Sequence, residues 1–165
     1  MLFIRSDAPE YVQKKYPEVV FIPRLERNYT ALFAASDCFV LASHGEGWGR
    51  PAVESMSFGK PTIVTNWSGF QEYATEENAF LVPVTLELVP AGAMEGAPAD
   101  ARWAKVSKSK LKQTMRFVYE NRLLAAERGR KARDHIARFF DEDVVGERVR
   151  ELFKENCLRS RNATL

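Results

Sequence analysis

The chain has little of what marks specialised chemistry or an unusual environment. Its 165 residues include two cysteines, Cys38 and Cys157, and two histidines, His44 and His135. That is too few for a disulfide scaffold, and neither cysteine stands in a zinc-binding spacing. No metal site is expected. No apolar run approaches the roughly 20 residues that a membrane-spanning helix needs, and the opening Met1-Leu2-Phe3-Ile4-Arg5 is too short for a secretory signal. A net charge of only +2 carries no strong message about polyanionic partners. What is present is ordinary for a folded domain. Apolar residues make up 45% of the chain, enough to bury a core. The expectation is a single soluble, cytoplasmic domain, with Cys38 a buried reduced thiol inside the apolar run Asp37-Cys38-Phe39-Val40-Leu41.

Strand-like and helix-like segments alternate over the first two thirds. Leu2–Arg5, Val19–Ile22, Asp37–Leu41, Thr62–Thr65 and Phe80–Val82 are short β-branched or apolar runs of the buried-strand kind. Between them, helices are expected over Pro9–Tyr16, Tyr29–Ala35, Pro51–Phe58 and Phe70–Ala74, with Gly59 closing the third. This alternation implies an α/β fold, a Rossmann-like parallel sheet with helices on both faces. Ligands bind such sheets beyond the carboxyl ends of the strands. Two turns land there: Gly45-Glu46-Gly47-Trp48-Gly49 after the Leu41 strand, and Asn66-Trp67-Ser68-Gly69 after the Thr65 strand.

The first turn carries the most chemistry. Three glycines let backbone approach a ligand closely, and Arg50-Pro51 opens a helix whose N–H groups and dipole suit a phosphate. Glu46 lies in the turn and Glu54 near the helix start. A phosphate seat flanked by two carboxylates fits a ligand with both phosphate and hydroxyls, which is the chemistry of a nucleotide-sugar. Each residue also has a plainer reading. Glu54 favours the helix dipole with no ligand present, Glu46 is equally a solvated loop acid, and His44 beside a pocket is more often a bystander than a base. Trp48 and Trp67 either stack on a ligand or pack the loop, and Glu72 either orders its own turn or touches the ligand.

Residues 85–102, rich in Ala, Gly and Pro, read as a surface loop, and residues 103–159 as C-terminal helices. Asp141 is the expected N-cap of the last helix, which carries Val145, Val149, Leu152 and Phe153 on one face. The middle helices are basic, from Lys105 to Arg133, but charge runs on helices are usually solvated surface. No nucleic-acid partner is expected. Asn162-Ala163-Thr164 spells a glycosylation sequon, read here as chance.

Residues 19–84 resemble the donor-binding, C-terminal half of retaining glycosyltransferases of family 4, glycosyl transferases group 1, which have the two-domain GT-B fold. The resemblance rests on Asn28–Asp37 leading into Cys38–Ser43, then Gly45–Pro51 through Glu54–Pro61, and Thr65–Gly69 with Glu72. It implies a nucleotide-diphosphate sugar as co-substrate, no cofactor and no metal, and hexosyl transfer to an acceptor hydroxyl. Glu46 matches the acid that contacts the transferred sugar, the catalytic candidate. Glu54 matches the acid that accepts from the ribose hydroxyls. Gly45, Gly47, Trp48, Gly49, Arg50, Pro51, Ser68 and Gly69 complete the expected donor site. The family pattern also has an N-terminal acceptor domain and a basic pair that grips the diphosphate, and neither is in this sequence. The chain therefore reads as a truncated GT-B half with weakened donor binding. Its expected partners are a separate acceptor-domain protein or a second copy docking on the C-terminal helix. The alternative is a non-catalytic glycosyltransferase-like binding or regulatory module.

Overall fold

The structure, a computed structural model, describes residues 2–5, 15–16, 19–22 and 30–162. The helix expected over Pro9–Tyr16 falls almost wholly outside the described residues, as do Ala163 and Thr164 of the sequon. The chain forms two compact units, Met1–Ala35 and Ser36–Leu165. In the first, β1 (Leu2–Arg5) pairs in parallel with β2 (Val19–Ile22), and α1 spans Thr30–Ala35.

The second unit is built on three parallel strands in the order β3 (Phe39–Leu41), β4 (Thr62–Thr65), β5 (Phe80–Val82). All four residues of β4 are buried, as a central strand covered on both faces requires. Successive side chains point to opposite faces. Val64 joins a cluster with Ala52, Met56, Phe70, Tyr73, Ala132 and Ile136, while Ile63 joins Phe80, Val82, Val118 and Ala125. Helix α2 (Arg50–Ser57) and the C-terminal part of α4 (Arg122–Phe139) thus cover one face, and α3 (Lys108–Glu120) with the start of α4 covers the other. The expected α/β sheet with helices on both faces is the architecture found. Cys38 packs against the second cluster, and burial with a smaller contribution from Asp37 pushes its thiol up to about 12.

Local chemistry sets the element ends. Gly59 closes α2 at φ +69°, its N–H donating to the Met56 carbonyl at 2.8 Å. Ser107 caps α3 by accepting from the Lys110 N–H. Asp141 caps α5 (Glu142–Asn162), as expected, by accepting from the Asp143 N–H at 3.1 Å. The apolar residues Val145, Val149, Leu152 and Phe153 of α5 are exposed.

Two expectations are corrected. The helix expected over Phe70–Ala74 is a short 3-10 turn two residues earlier, Ser68–Glu72. Residues 85–102 are not all loop, and residues 103–106 are not helical: β6 (Val84–Leu88) and β7 (Arg102–Val106) form an antiparallel hairpin, leaving residues 89–101 as its irregular connection. The hairpin is held by cross-strand polar pairs, with the Trp103 indole N–H donating to Glu87 at 3.3 Å and the Lys105 ammonium to Glu87 at 2.7 Å. Those two donors hold the Glu87 carboxyl below the usual range.

Gly129 places α4 directly on the turn that ends α2. A Cβ there would lie 2.2 Å from the Gly59 carbonyl oxygen, which is backbone and cannot swing aside. Gly129→Ala is expected to destabilise the fold by about 1–3 kcal/mol through overpacking. Gly146→Ala in α5, where an added Cβ meets nothing within 4 Å, is expected to stabilise by about 0.5–1 kcal/mol through helix propensity. Urea unfolding of the two variants side by side checks this, and equal effects would contradict the packing assigned to Gly129.

Candidate functional site

The chain leaves β3 at Leu41, and residues 43–49 form the rim of the sheet before α2 begins. Each part of this rim is anchored to a different element. The Ser43 carbonyl accepts from the Thr65 hydroxyl at 3.2 Å, at the end of β4. The Glu46 N–H donates to the Ser68 hydroxyl at 2.9 Å, and the Glu46 carbonyl accepts from the Gly69 N–H at 3.1 Å. The two turns expected to share a rim therefore touch. A Cβ on Gly69 would sit 2.4 Å from the Gly47 carbonyl oxygen and 2.8 Å from that of Glu46, so only glycine fits. Ser68 is the non-glycine residue with positive φ among the described residues, at 56°, a conformation uncommon outside turns and functional loops.

Gly49 joins the turn to α2. It has φ +78°, and a Cβ would lie 2.4 Å from Phe70 Cε1. Its carbonyl accepts the first helical bond, from the Ala52 N–H at 2.8 Å. Pro51 stands in the first turn, as expected. Among the described residues, no hydrogen bond uses the backbone N–H groups of Gly47, Trp48, Gly49 or Arg50. Around Gly47 the space is open, since an added Cβ meets nothing within 4 Å. That is the local form of an anion seat at a helix start.

The two acids take different places. Glu46 is half-buried on the turn, and Glu54 is half-buried one helical turn into α2. Arg50 reaches Glu54 at 3.5 Å, with the arginine side chain 80% exposed. An i,i+4 pair of this kind is worth about 0.3–0.5 kcal/mol, so the exposed Arg50 can exchange it for a ligand at little cost. Trp48 turns inward, its ring 5.1 Å from Tyr73 and 5.4 Å from Phe140 between centroids. The ring is half-buried in this aromatic cluster. Gly45 faces the second turn, an added Cβ lying 3.7 Å from the Ser68 hydroxyl and 3.8 Å from Trp67 Nε1. His44 stacks on Trp103, and its ring Nδ1 lies within hydrogen-bond distance of the Ala104 carbonyl. Glu72 is exposed at the end of the 3-10 turn.

Tyr73 is the residue that sequence reasoning passed over. Its hydroxyl donates to the Trp48 carbonyl at 2.8 Å and lies 3.2 Å from the Gly49 carbonyl, so one buried side chain pins the turn where it becomes a helix. Burial first, and then the negative charge of Glu46, push its ionisation well above the usual tyrosine range. Only the long separation hid it, as the partners stand 25 and 24 positions apart in sequence. No group of three or more potential metal ligands occurs among the described residues.

This geometry can be set beside known proteins. Residues 13–88 match the family model for glycosyl transferases group 1. The match takes in the whole glycine turn, the start of α2 and the Ser68-Gly69 turn. O-antigen chain mannosyltransferase B of Escherichia coli is 29% identical over 102 residues, which are 61% of this chain and 26% of that protein. Among solved structures, sucrose-phosphate synthase of Thermosynechococcus elongatus superposes with a TM-score of 0.68 at 21% identity, over 91% of this chain and 34% of that one. Anabaena HepE in complex with UDP gives 0.67 at 19% identity, over 88% and 36%. The C-terminal domain of LpcC, a glycosyl transferase group 1 family protein from Francisella tularensis, gives 0.59 at 19% identity, over 81% and 62%. These likenesses show the fold: the chain has the α/β architecture of GT-B glycosyltransferase structures. It spans about a quarter of the curated relative and about a third of the larger solved chains.

Replacing Tyr73 with phenylalanine tests the anchor. Loss of one net hydrogen bond from a buried site predicts a stability loss of about 1 kcal/mol at neutral pH. The pH dependence carries a second signature. Because the native state resists ionising Tyr73, its contribution is fully present below the unfolded value near 10 and declines as pH rises beyond it. Cys38 adds a similar decline that begins near 9 and stays in the variant. Denaturant unfolding between pH 7 and 11 should therefore show a shallower alkaline decline in Tyr73→Phe than in the parent. Identical slopes would contradict the burial argument.

Proposed function

We propose that this chain is the donor-binding half of a retaining glycosyltransferase, holding a nucleotide-diphosphate sugar for hexosyl transfer to an acceptor hydroxyl. The observation that supports it most is the joined rim. A glycine turn with unused backbone N–H groups runs into a proline-started helix, carries Glu46 and Glu54, and is locked to Ser68-Gly69, all inside the segment that matches the family model. HepE, of the same fold, has been solved with UDP, with UDP and glucose, and with UDP-glucose.

In this reading the N–H groups of Gly47 to Arg50 and the helix dipole receive the diphosphate, and Arg50 swings from Glu54 to neutralise the leaving group. Charge stabilisation there lowers the barrier to cleaving the bond between sugar and phosphate. Glu54 accepts from the vicinal ribose hydroxyls with charge-assisted bonds. Glu46 faces the transferred sugar. The acceptor hydroxyl approaches on the leaving-group face, and a donor phosphate oxygen takes its proton, so the reaction needs no protein base and no metal. Gly45, Trp48, Gly49, Pro51, Ser68 and Gly69 shape the seat rather than react.

Transfer needs a second wall to the cleft, supplied by an acceptor domain, whether in a longer chain or a separate protein. The exposed Val145, Val149, Leu152 and Phe153 face of α5 is where we place its contact, with a second copy of the chain as the other occupant to test. Among the described residues no helix is long and apolar enough to cross a membrane. The free Cys38 thiol fits the cytoplasm, where we place the protein.

Titration calorimetry with UDP-, GDP- and ADP-sugars tests the reading. One of the three should bind, and Glu54→Ala should weaken it at least tenfold, because each hydrogen bond to a charged group is worth about 1.5–3 kcal/mol. If none binds, the fold serves as a non-catalytic module and the donor reading fails.

A further inference from the structure

The β6–β7 hairpin is tied to the glycine turn at one residue, and the tie is unusually complete. His44 stands two positions before Glu46. Its carbonyl accepts from the Ala104 N–H at 2.9 Å, and its ring Nδ1 lies 2.6 Å from the Ala104 carbonyl oxygen. Both backbone polar groups of Ala104, a fully buried residue of β7, are thus taken by one histidine. A carbonyl can only accept, so Nδ1 carries the hydrogen in this bond. The same ring lies flat on Trp103, with centroids 4.2 Å apart and planes within 15°. Trp103 is itself fixed, since its indole N–H donates to Glu87, which also holds Lys105.

The tie finishes a set of anchors. Ser43 is held by Thr65, His44 by Ala104 and Trp103, and Glu46 by Ser68 and Gly69. With its backbone fixed on both sides, Glu46 has only its own side-chain torsions left to lose when it meets a ligand. Preorganised groups bind better because less ordering remains to be done.

We infer that His44 is a positioning residue: the β6–β7 hairpin, acting through the Ala104 bonds and the Trp103 stack, fixes the Glu46 turn for the sugar moiety of the donor. This rests on the donor reading above. It separates two parts of the ligand. Glu54 sits on α2, and Tyr73 holds the Trp48 and Gly49 end of the diphosphate seat, both outside the tie. The nucleotide part should therefore depend on the hairpin far less than the sugar part does.

The experiment compares Trp103→Ala, His44→Phe and His44→Asn in the full chain. His44→Phe keeps a stacking ring and removes the donor, whereas His44→Asn restores a donor at the Nδ1 position. Calorimetry uses whichever of UDP-glucose, GDP-mannose and ADP-glucose the parent binds most tightly, together with its nucleoside diphosphate. Trp103→Ala and His44→Phe should each lose at least fivefold in affinity for the sugar-nucleotide, with the nucleoside diphosphate within twofold of the parent. His44→Asn should recover part of the loss relative to His44→Phe. Equal weakening of both ligands, or of neither, would overturn the inference. Nitrogen-15 NMR of the parent supplies a readout that needs no ligand. His44 should give the Nδ1–H tautomer at neutral pH, the Ala104 amide should exchange slowly, and Trp103→Ala should shift the Glu46 amide. A parent that binds no nucleotide yet shows these signals would sink the donor reading, and the sugar-positioning role with it, leaving only the tie. An Nε2–H tautomer with a fast-exchanging Ala104 amide would remove the tie itself.

Discussion

The contact on which the site depends is the one between Gly69 and the Glu46-Gly47 backbone. Two turns from different strands meet there with an N–H to carbonyl bond of 3.1 Å and no room for a side chain. A parallel sheet delivers both turns to the same edge, because β3 and β4 point the same way. The glycine converts that proximity into a joint. Ser68, in its left-handed conformation, adds the second bond by accepting from the Glu46 N–H. Without the joint, the Glu46-Gly47 backbone would lose its anchor to the second turn, and Glu46 its fixed relation to Ser68 and Gly69.

Packing below the rim carries the same logic into the core. Tyr73 and Phe140 bracket Trp48, and Phe70 fills the space where a Cβ on Gly49 would stand. The aromatic cluster belongs to the core face that α2 and α4 cover. The close approach at Gly129 allows α4 to lie against the end of α2, whose start adjoins the glycine turn. Stability and site geometry therefore share residues, and the polar bonds of the rim rest on an apolar layer rather than on solvent.

Much of this was legible in the sequence, for physical reasons. Thr62-Ile63-Val64-Thr65 is too short and too β-branched for a helix, and a run without charged residues suits burial on both faces. Pro51 and Gly59 mark the ends of α2 through backbone preferences that need no tertiary context. The hairpin was hidden because Leu86 and Leu88 stay exposed and its strands are separated by an Ala-, Gly- and Pro-rich connection. Its strongest determinants, Glu87 with Trp103 and Lys105, are cross-strand pairs that only register reveals. Tyr73 and the His44–Ala104 tie were unreadable for the same reason, each joining residues far apart in sequence. Trp48 carries two meanings in the sequence, because an indole suits a sugar face and a core equally well.

The central claim is that the joined rim is where a nucleotide-sugar sits. Amide NMR of the isotope-labelled chain titrated with UDP-glucose, GDP-mannose and ADP-glucose addresses it residue by residue. The account predicts that one of these ligands shifts the amides of Gly45 to Arg50, Glu54, Ser68 and Gly69 together, while those of α5 stay unmoved. Binding that leaves these amides unshifted and perturbs another face of the sheet would contradict it.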